Sequence, residues 1–564
     1  MQYMGVVIIV AILVIAVFAT GSVRDRKQRK IRLEWLKESY GTQNSDMLSK
    51  DEISHISLYH LHIASDAKER FFIDDITWND LGMDDIFVKM DTCCSAVGEE
   101  ELYHRLHTPA LSEDEDTIHF RDLREYFDTH DEDRIKLQEI LHHIGIYRKT
   151  SVTRIFEYVY ELEPESNMQH YLMAGLMLIS IALIFVVPAL GVLMLIIASI
   201  ASIGSYLMKK KSIDPVVVTF NYTAKMLKAC ESLNKSDIKV LEDDVKTLKS
   251  CSGPLKNILS KSIWISSGSV SMDNPIMLFV EYIKMFFHID LIIINKLIKQ
   301  LKLHINEIDK IRSILGNIDA AIAAGSYRRS LFVSCIPEFV NKESAHFEIS
   351  GCVHPLIEEP VPNSITTDGA VLITGSNASG KSTFLKSVAI SALMAQTLGF
   401  VPAQSYRASR FMIFTSMALT DSIRNGESYF IVEIKSIKRI IDAAERGAGV
   451  FCCIDEVLRG TNTIERIAAS SQILKTLLRD EYIVFAATHD IELTRILEGK
   501  YANYHFDEEI EEDDVKFNYL LKEGRAHSRN AIKLLGVMDY DKKLIEDAEQ
   551  MVEDFTQTGE WGKA

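Results

Sequence analysis

The residues best placed to do chemistry begin at Gly375. From there the chain reads Gly375-Ser376-Asn377-Ala378-Ser379-Gly380-Lys381-Ser382-Thr383, which fits GxxxxGK[ST] without a gap. The glycines let backbone N–H groups turn inward, and the start of a following helix adds positive potential, so the loop can cradle phosphates. Lys381 has the charge and reach for the β- and γ-phosphates of a nucleotide, and the Ser382 hydroxyl suits Mg²⁺. A second group, Asp455-Glu456, ends the apolar run Val450-Phe451-Cys452-Cys453-Ile454, with Asp455 standing 74 residues beyond Lys381. Asp455 can hold Mg²⁺ through water, and Glu456 can polarise an attacking water as a general base. The third is His489, which follows the apolar run Tyr482–Ala487 and Thr488; it can sense or orient a γ-phosphate. Together the three point to an enzyme that binds ATP with Mg²⁺ and hydrolyses it.

Each group needs a buried strand that ends in a polar turn. Val371-Leu372-Ile373-Thr374 leads into the loop, and the apolar positions Phe384, Leu385, Val388 and Ala389 behind it predict a helix. From about residue 346 short apolar strands alternate with helices, the pattern of a parallel α/β sheet. From about 34 to 340 the pattern is helical instead. Leu297, Leu301, Ile305, Ile308, Ile311, Leu315 and Ile318 recur at three- and four-residue steps and predict one long amphipathic helix. The eight cysteines show no zinc spacing and no disulfide framework. Reduced thiols are the simplest reading, with Cys452 and Cys453 as small core side chains.

The 564 residues carry a formal charge of −17, and their mean hydropathy is slightly positive. The charge excludes a basic nucleic-acid coat. The hydropathy comes from three apolar spans. Tyr3–Val23 is uncharged and is followed by Arg24, Arg26, Lys27, Arg29, Lys30 and Arg32; at 1.5 Å per residue it spans roughly 30 Å. Positive charge behind the span rather than before it disfavours a cleaved signal peptide, and it places the N-terminus outside and the rest in the cytoplasm. Tyr171–Met208 is 38 residues without a charge, with Pro188 near its middle and Lys209-Lys210-Lys211 after it. Two spans meeting at the proline, a transmembrane hairpin, fit better than one helix. A buried helix pair and a re-entrant hairpin are the alternatives.

The stretches TGSNASGKST, FTSMALTDSIRNGESYFIVEI, DEVLRGTNT and ATHDIELT resemble the ATPase domain of the MutS family of DNA mismatch repair proteins, over about residues 346–545. The resemblance implies an ATP site completed in trans within a homodimer, by Ser428 of Gly426-Glu427-Ser428-Tyr429-Phe430. The family usually has Ser-Thr-Phe here, so Tyr429 is a departure. Asn377 matches the asparagine of the family's loops, and His354-Pro355 and Pro362-Asn363 resemble the lead-in beside adenine. Ile73 to Thr77, Asp91 to Leu102 and Pro109 look like the start of the family's helical lever domain.

The implied fold class is an α/β P-loop ATPase domain behind an all-α lever domain, with three transmembrane helices. The implied organisation is a membrane anchor at 1–23, a basic juxtamembrane and helical linker at 24–70, and the first part of the lever at 71–168. A transmembrane hairpin at 169–208 and the second part of the lever at 209–345 follow, then the ATPase domain at 346–515 and a C-terminal helical dimerisation element at 516–564. Two features depart from the family: no Phe-x-Glu stands in an N-terminal mismatch-reading domain, and the hairpin falls where a DNA clamp is normally inserted. Three functions stay open: a dimeric multi-pass membrane ATPase whose lever arms transmit the nucleotide state to the hairpin or a protein partner; a membrane-tethered protein that binds mismatched or branched DNA; and a slow nucleotide-switched scaffold.

Overall fold

The computed structural model describes residues 24–558 apart from 25, 68, 164, 257, 259–281, 342–343, 377–378, 418–428, 444–448, 460–461, 512–513, 526–531, 533–534 and 536–539. The expected first span, 1–23, lies outside the described residues. The chain divides into two units. One takes the chain up to Asp66, Lys89–His104 and His119–Arg329; the other takes Ala67–Val88, Arg105–Ile118 and everything from Ser330 onward.

The first unit is helical. Its apolar hairpin consists of α1 (Met168–Val186) and α2 (Pro188–Leu233). Val187 leaves the helical region (φ −135°, ψ 83°) and Pro188 opens α2, where its missing N–H costs nothing. Both apolar stretches, Met168–Val186 and Pro188–Lys210, are long and apolar enough to cross a membrane, and only 17% and 22% of their apolar windows are buried. A core helix of a soluble protein would be mostly covered. Beyond the lysines α2 does not stop at 208 as expected. It runs unbroken through Pro215 to Leu233, 46 residues in all, or roughly 69 Å at 1.5 Å per residue. Its far half is embedded in the helical core: the Tyr222 hydroxyl accepts the Val97 N–H at 3.2 Å, and Thr219 Oγ1 donates to the Ile155 carbonyl at 3.2 Å.

The periodic stretch from Leu297 is two helices, Ile289–Leu303 and α3 (Ile305–Ser330), parted at His304 (φ −127°, ψ 33°). Leu297, Leu301, Ile308, Ile311, Leu315 and Ile318 are all buried. Two charged side chains brought into this core, Asp319 and Arg312, are paired. Asp319 on α3 accepts from Ser95 Oγ at 2.5 Å, the Ser95 N–H at 2.8 Å and the Cys94 N–H at 3.1 Å, closing the start of the helix Ala96–Leu106. Arg312 Nη2 reaches Glu100 Oε2 at 3.0 Å and Thr153 Oγ1 at 2.8 Å.

The second unit holds two sheets. The strands are β1 (Glu338–Phe339), β2 (Phe347–Cys352), β3 (Asn363–Thr367), β4 (Ala370–Thr374), β5 (Ser405–Ala408), β6 (Met412–Ser416), β7 (Val450–Asp455), β8 (Tyr482–Ala487), β9 (Ala502–Glu511) and β10 (Asp514–Glu523). The small sheet has the order β1-β5-β2-β3 and the large one β10-β9-β4-β8-β7-β6. The large sheet is parallel except for the β9–β10 pair. β4, β6, β7 and β8 are buried throughout, as a sheet covered on both faces requires.

Two elements differ from the organisation expected of the sequence. Residues 71–88 and 105–118, expected in the lever, and 67–70, expected in the linker, belong to the sheet unit. The short helix Asp75–Leu81 caps the edge strand β6: Asp80 Oδ2 accepts from Thr415 Oγ1 at 2.8 Å and the Met417 N–H at 2.9 Å, and Arg439 bridges Asp74 and the Thr415 carbonyl. Phe71 packs edge-on against Phe414 at 5.4 Å. The segment expected to be helical from 516 onward lies in β10 up to Glu523, where Phe517, Tyr519 and Leu521 recur at every second position; Lys542–Thr558 is helical. The eight cysteines are all unpaired thiols, buried except for half-buried Cys335.

Replacing Asp319 with Ala leaves the N–H groups of Cys94 and Ser95 without their acceptor in a dry core. Asp319→Ala should destabilise the helical unit by about 3 kcal/mol, read as a lower thermal midpoint of the detergent-solubilised chain. An unchanged midpoint would contradict the assigned role.

Candidate nucleotide site

The register of the large sheet assembles the site. Ala487 on β8 stands opposite both Ile373 on β4 and Asp455 on β7, so three strands end at one level. Beyond them lie the loop after β4, the pair Asp455-Glu456 and the segment Thr488-His489. Helix α4 (Lys381–Thr397) starts at the loop and turns its amino end toward the same space. Gly375 (φ 149°) has no room for a side chain, because a Cβ there would stand 2.9 Å from the Phe506 carbonyl and from Ser379 Oγ.

The catalytic candidates meet as their spacing predicts. Ser382 Oγ donates to Asp455 Oδ2 at 2.5 Å. Lys381 is buried, and its Nζ donates to the Gly375 and Ser376 carbonyls at 2.8 and 2.6 Å. Glu456 Oε1 lies 3.0 Å from His489 Nε2, and Oε2 lies 2.9 Å from Arg459 Nε. The hydrogen bond from His489 and the Arg459 charge hold the Glu456 carboxyl below its ordinary range against the opposing effect of burial, so it is ionised at neutral pH and able to accept a proton. Asn377, Ala378 and Ser428 lie outside the described residues.

These groups line a cavity of about 630 Å³, within the size range of small-ligand sites. One wall is polar: Ser376, Ser379, Gly380, Lys381, Ser382, Thr383, Asp455, Glu456, Arg459 and His489. The other is more apolar and includes His354, Ile357, Val361, Asn363, Phe506 and Tyr519. Of the lead-in residues, His354 and Asn363 reach the cavity. Asn363 clamps the bulge in β10: its Nδ2 donates to the Tyr519 carbonyl at 2.9 Å and its Oδ1 accepts the Leu521 N–H at 2.7 Å. Tyr519 thereby takes a left-handed conformation (φ 53°), and its ring lies beside Gly380.

The donor set fits a nucleotide with its cation. Ser379 Oγ is buried at the loop with no hydrogen-bond partner among the described residues, so a phosphate oxygen would satisfy it. The hydroxyl of Ser382 and the carboxylate of Asp455 are the hard oxygen donors that Mg²⁺ prefers, together with phosphate and water.

A family model for MutS domain V matches residues 371–556. The chain carries a MutS domain V, and the relatives it matches there are MutS and MSH proteins at about 30% identity. It is 31% identical over 229 residues to the DNA mismatch repair protein MSH3 of Phaeosphaeria nodorum, covering 38% of this chain and 20% of that one. It is 31% identical over 277 residues to the DNA mismatch repair protein MutS of Aquifex pyrophilus, covering 46% and 31%. With human MutS protein homolog 4 it shares 29% over 297 residues, covering 49% and 31%. The matches thus span only 20% to 31% of these relatives' own lengths. Domain V includes all three strand ends of the cavity and β10, so Tyr519 belongs to the nucleotide domain rather than to a separate helical tail.

Sequence reasoning missed Arg459, Phe506 and Tyr519. The alternation of Phe517, Tyr519 and Leu521 could have revealed the strand that presents Tyr519. Arg459 had no such signal, because its role depends on a turn.

Tyr519→Ala should weaken binding of a fluorescent ATP analogue about tenfold, as loss of one ring-on-base stack implies, while Tyr519→Phe should keep it. Equal affinity in all three proteins would remove Tyr519 from the base-binding wall.

Proposed function

We propose that this chain is a membrane-anchored MutS-type ATPase that binds and hydrolyses ATP·Mg²⁺ as a homodimer and passes its nucleotide state to an apolar hairpin. The single observation that carries the catalytic half is the convergence of Lys381, Ser382–Asp455 and Glu456–His489 at one cavity. Lys381 and the loop N–H groups would bind the phosphates, and Ser382 with Asp455 would hold the cation, which would supply positive charge beside the γ-phosphate. Glu456 takes a proton from water, and His489 orients Glu456 and the terminal phosphate. Ser428 completes the partner's site in trans.

The continuity of α2 supports the coupling half. One helix carries the apolar segment and, without a break, the residues that lock into the helical core through Tyr222 and Thr219. α3, buried in that same core, leads directly into the nucleotide-binding unit at Ser330. The exposed apolar flanks of α1 and α2, including Ile179, Phe185, Ile197 and Ile200, suit lipid as their surroundings. With the basic flanks at 24–32 and 209–211, this reading places the protein in the cell membrane with the nucleotide domain in the cytoplasm. The names of the relatives favour a DNA ligand as the second reading, which a mismatched or branched duplex would reveal by accelerating ATP turnover at low salt.

Glu456→Gln should bind ATP as tightly as the wild type and accumulate it unhydrolysed, with turnover reduced at least a hundredfold; normal turnover would exclude Glu456 as base. Lys381→Ala should bind no nucleotide. Mixing Lys381→Ala with Ser428→Ala subunits should recover part of the activity, since one of the two sites in a mixed dimer is then intact; no recovery would contradict a shared site. Carbonate-washed membranes should retain the full chain, and its appearance in the soluble fraction would overturn the anchoring.

A further inference from the structure

Two residues of the catalytic turn stand in a conformation that side-chain-bearing residues rarely adopt: Glu456 has φ 63° and Leu458 φ 62°. Such backbone persists only where its surroundings over-determine it. One support is the sheet, through the Glu456 N–H to the Ala487 carbonyl at 2.9 Å. A second is α6 (Thr463–Thr476), where Ser470 Oγ donates to the Val457 carbonyl at 3.0 Å. The third comes from α5 (Tyr429–Asp442). Glu433 on that helix is 2% exposed, and its two carboxylate oxygens accept the Arg459 N–H at 3.1 and 3.2 Å. Arg459, its backbone held there, donates through Nη2 to the Asp455 carbonyl at 2.6 Å and through Nε to Glu456 Oε2 at 2.9 Å.

A carboxylate is costly to bury, and the other residues on the buried face of α5, Ser436, Ile437 and Ile440, carry no charge to pair with it. What uses it is the turn, whose Arg459 N–H takes the Glu433 carboxylate as its acceptor. We propose that Glu433 is a positioning residue for ATP hydrolysis: acting through the Arg459 backbone, it holds the turn Glu456–Arg459 and so aims the Glu456 carboxylate at the attacking water. Glu433 does not line the nucleotide cavity and acts only through its neighbours. The inference rests on Glu456 being the base.

The test is single-turnover hydrolysis and ATP affinity, measured on the full chain in lipid nanodiscs for the wild type, Glu433→Ala, Glu433→Gln, Glu456→Gln and the double variant Glu433→Ala/Glu456→Gln. Glu433→Ala should slow hydrolysis at least tenfold without changing ATP affinity. Glu433→Gln keeps one acceptor oxygen and should fall between it and the wild type. In the Glu456→Gln background, Glu433→Ala should add no further loss, because residues that act through one group are not additive. A wild-type rate for Glu433→Ala, a fall in ATP affinity that accounts for the whole effect, or a loss that multiplies with that of Glu456→Gln would each overturn the positioning role alone. Normal turnover by Glu456→Gln would instead remove the base, and this role with it. If Glu433→Ala does not fold, Glu433→Gln carries the same test, since its loss must vanish in the Glu456→Gln background.

Discussion

The site depends on one constraint, the parallel register that sets Ile373, Ala487 and Asp455 side by side on β4, β8 and β7. Parallel strands buried on both faces have little freedom to slip, because a one-residue shift would turn every side chain to the opposite face. With the register held, the phosphate loop, the metal-holding carboxylate and the base all emerge at the same edge. Ligands in open α/β sheets bind outside the carboxyl ends of the strands for this reason. The 2.5 Å contact between Ser382 and Asp455 is the shortest expression of that alignment.

The second organising feature is a helix. α2 carries an apolar segment that is mostly exposed and, in the same rod, a segment locked into the helical core. A MutS-type domain V is thereby attached to a module that its DNA repair relatives do not bring to mind. The formal charge of −17 fits this shift, since a duplex ligand is held mainly through its phosphates and by positive charge. The domain V match thus informs the nucleotide chemistry more than it informs what the chemistry moves.

What was legible in the sequence was what is local. The loop from Gly375 to Ser382, the strand-end carboxylates and His489 are contiguous motifs on strands with unbroken apolar runs, and the structure gathers their described members into one cavity. Pro188 marked the turn between α1 and α2 because a proline without its N–H fits the start of a helix. The break at His304 carries no proline or glycine and left the hydrophobic period intact across it. Residues 71–88 read as lever because their partners lie far along the chain: Asp80 bonds to Thr415 and Met417 across 335 and 337 positions. Glu433 reads as the charged face of an amphipathic helix, and only the left-handed turn opposite it explains its burial. The hairpin's apolar length was plain, whereas the continuation of α2 past its lysines was not, since a basic cluster can follow an apolar span without ending a helix.

The central claim is that nucleotide bound at the strand ends is felt along the helix that carries the hairpin. Hydrogen–deuterium exchange on the full Glu456→Gln chain in nanodiscs, with and without ATP·Mg²⁺, tests this most directly. The account predicts altered protection around the phosphate loop and also in α2 between Thr219 and Leu233. Changes confined to residues from 330 onward, with α2 untouched at full ATP occupancy, would contradict it.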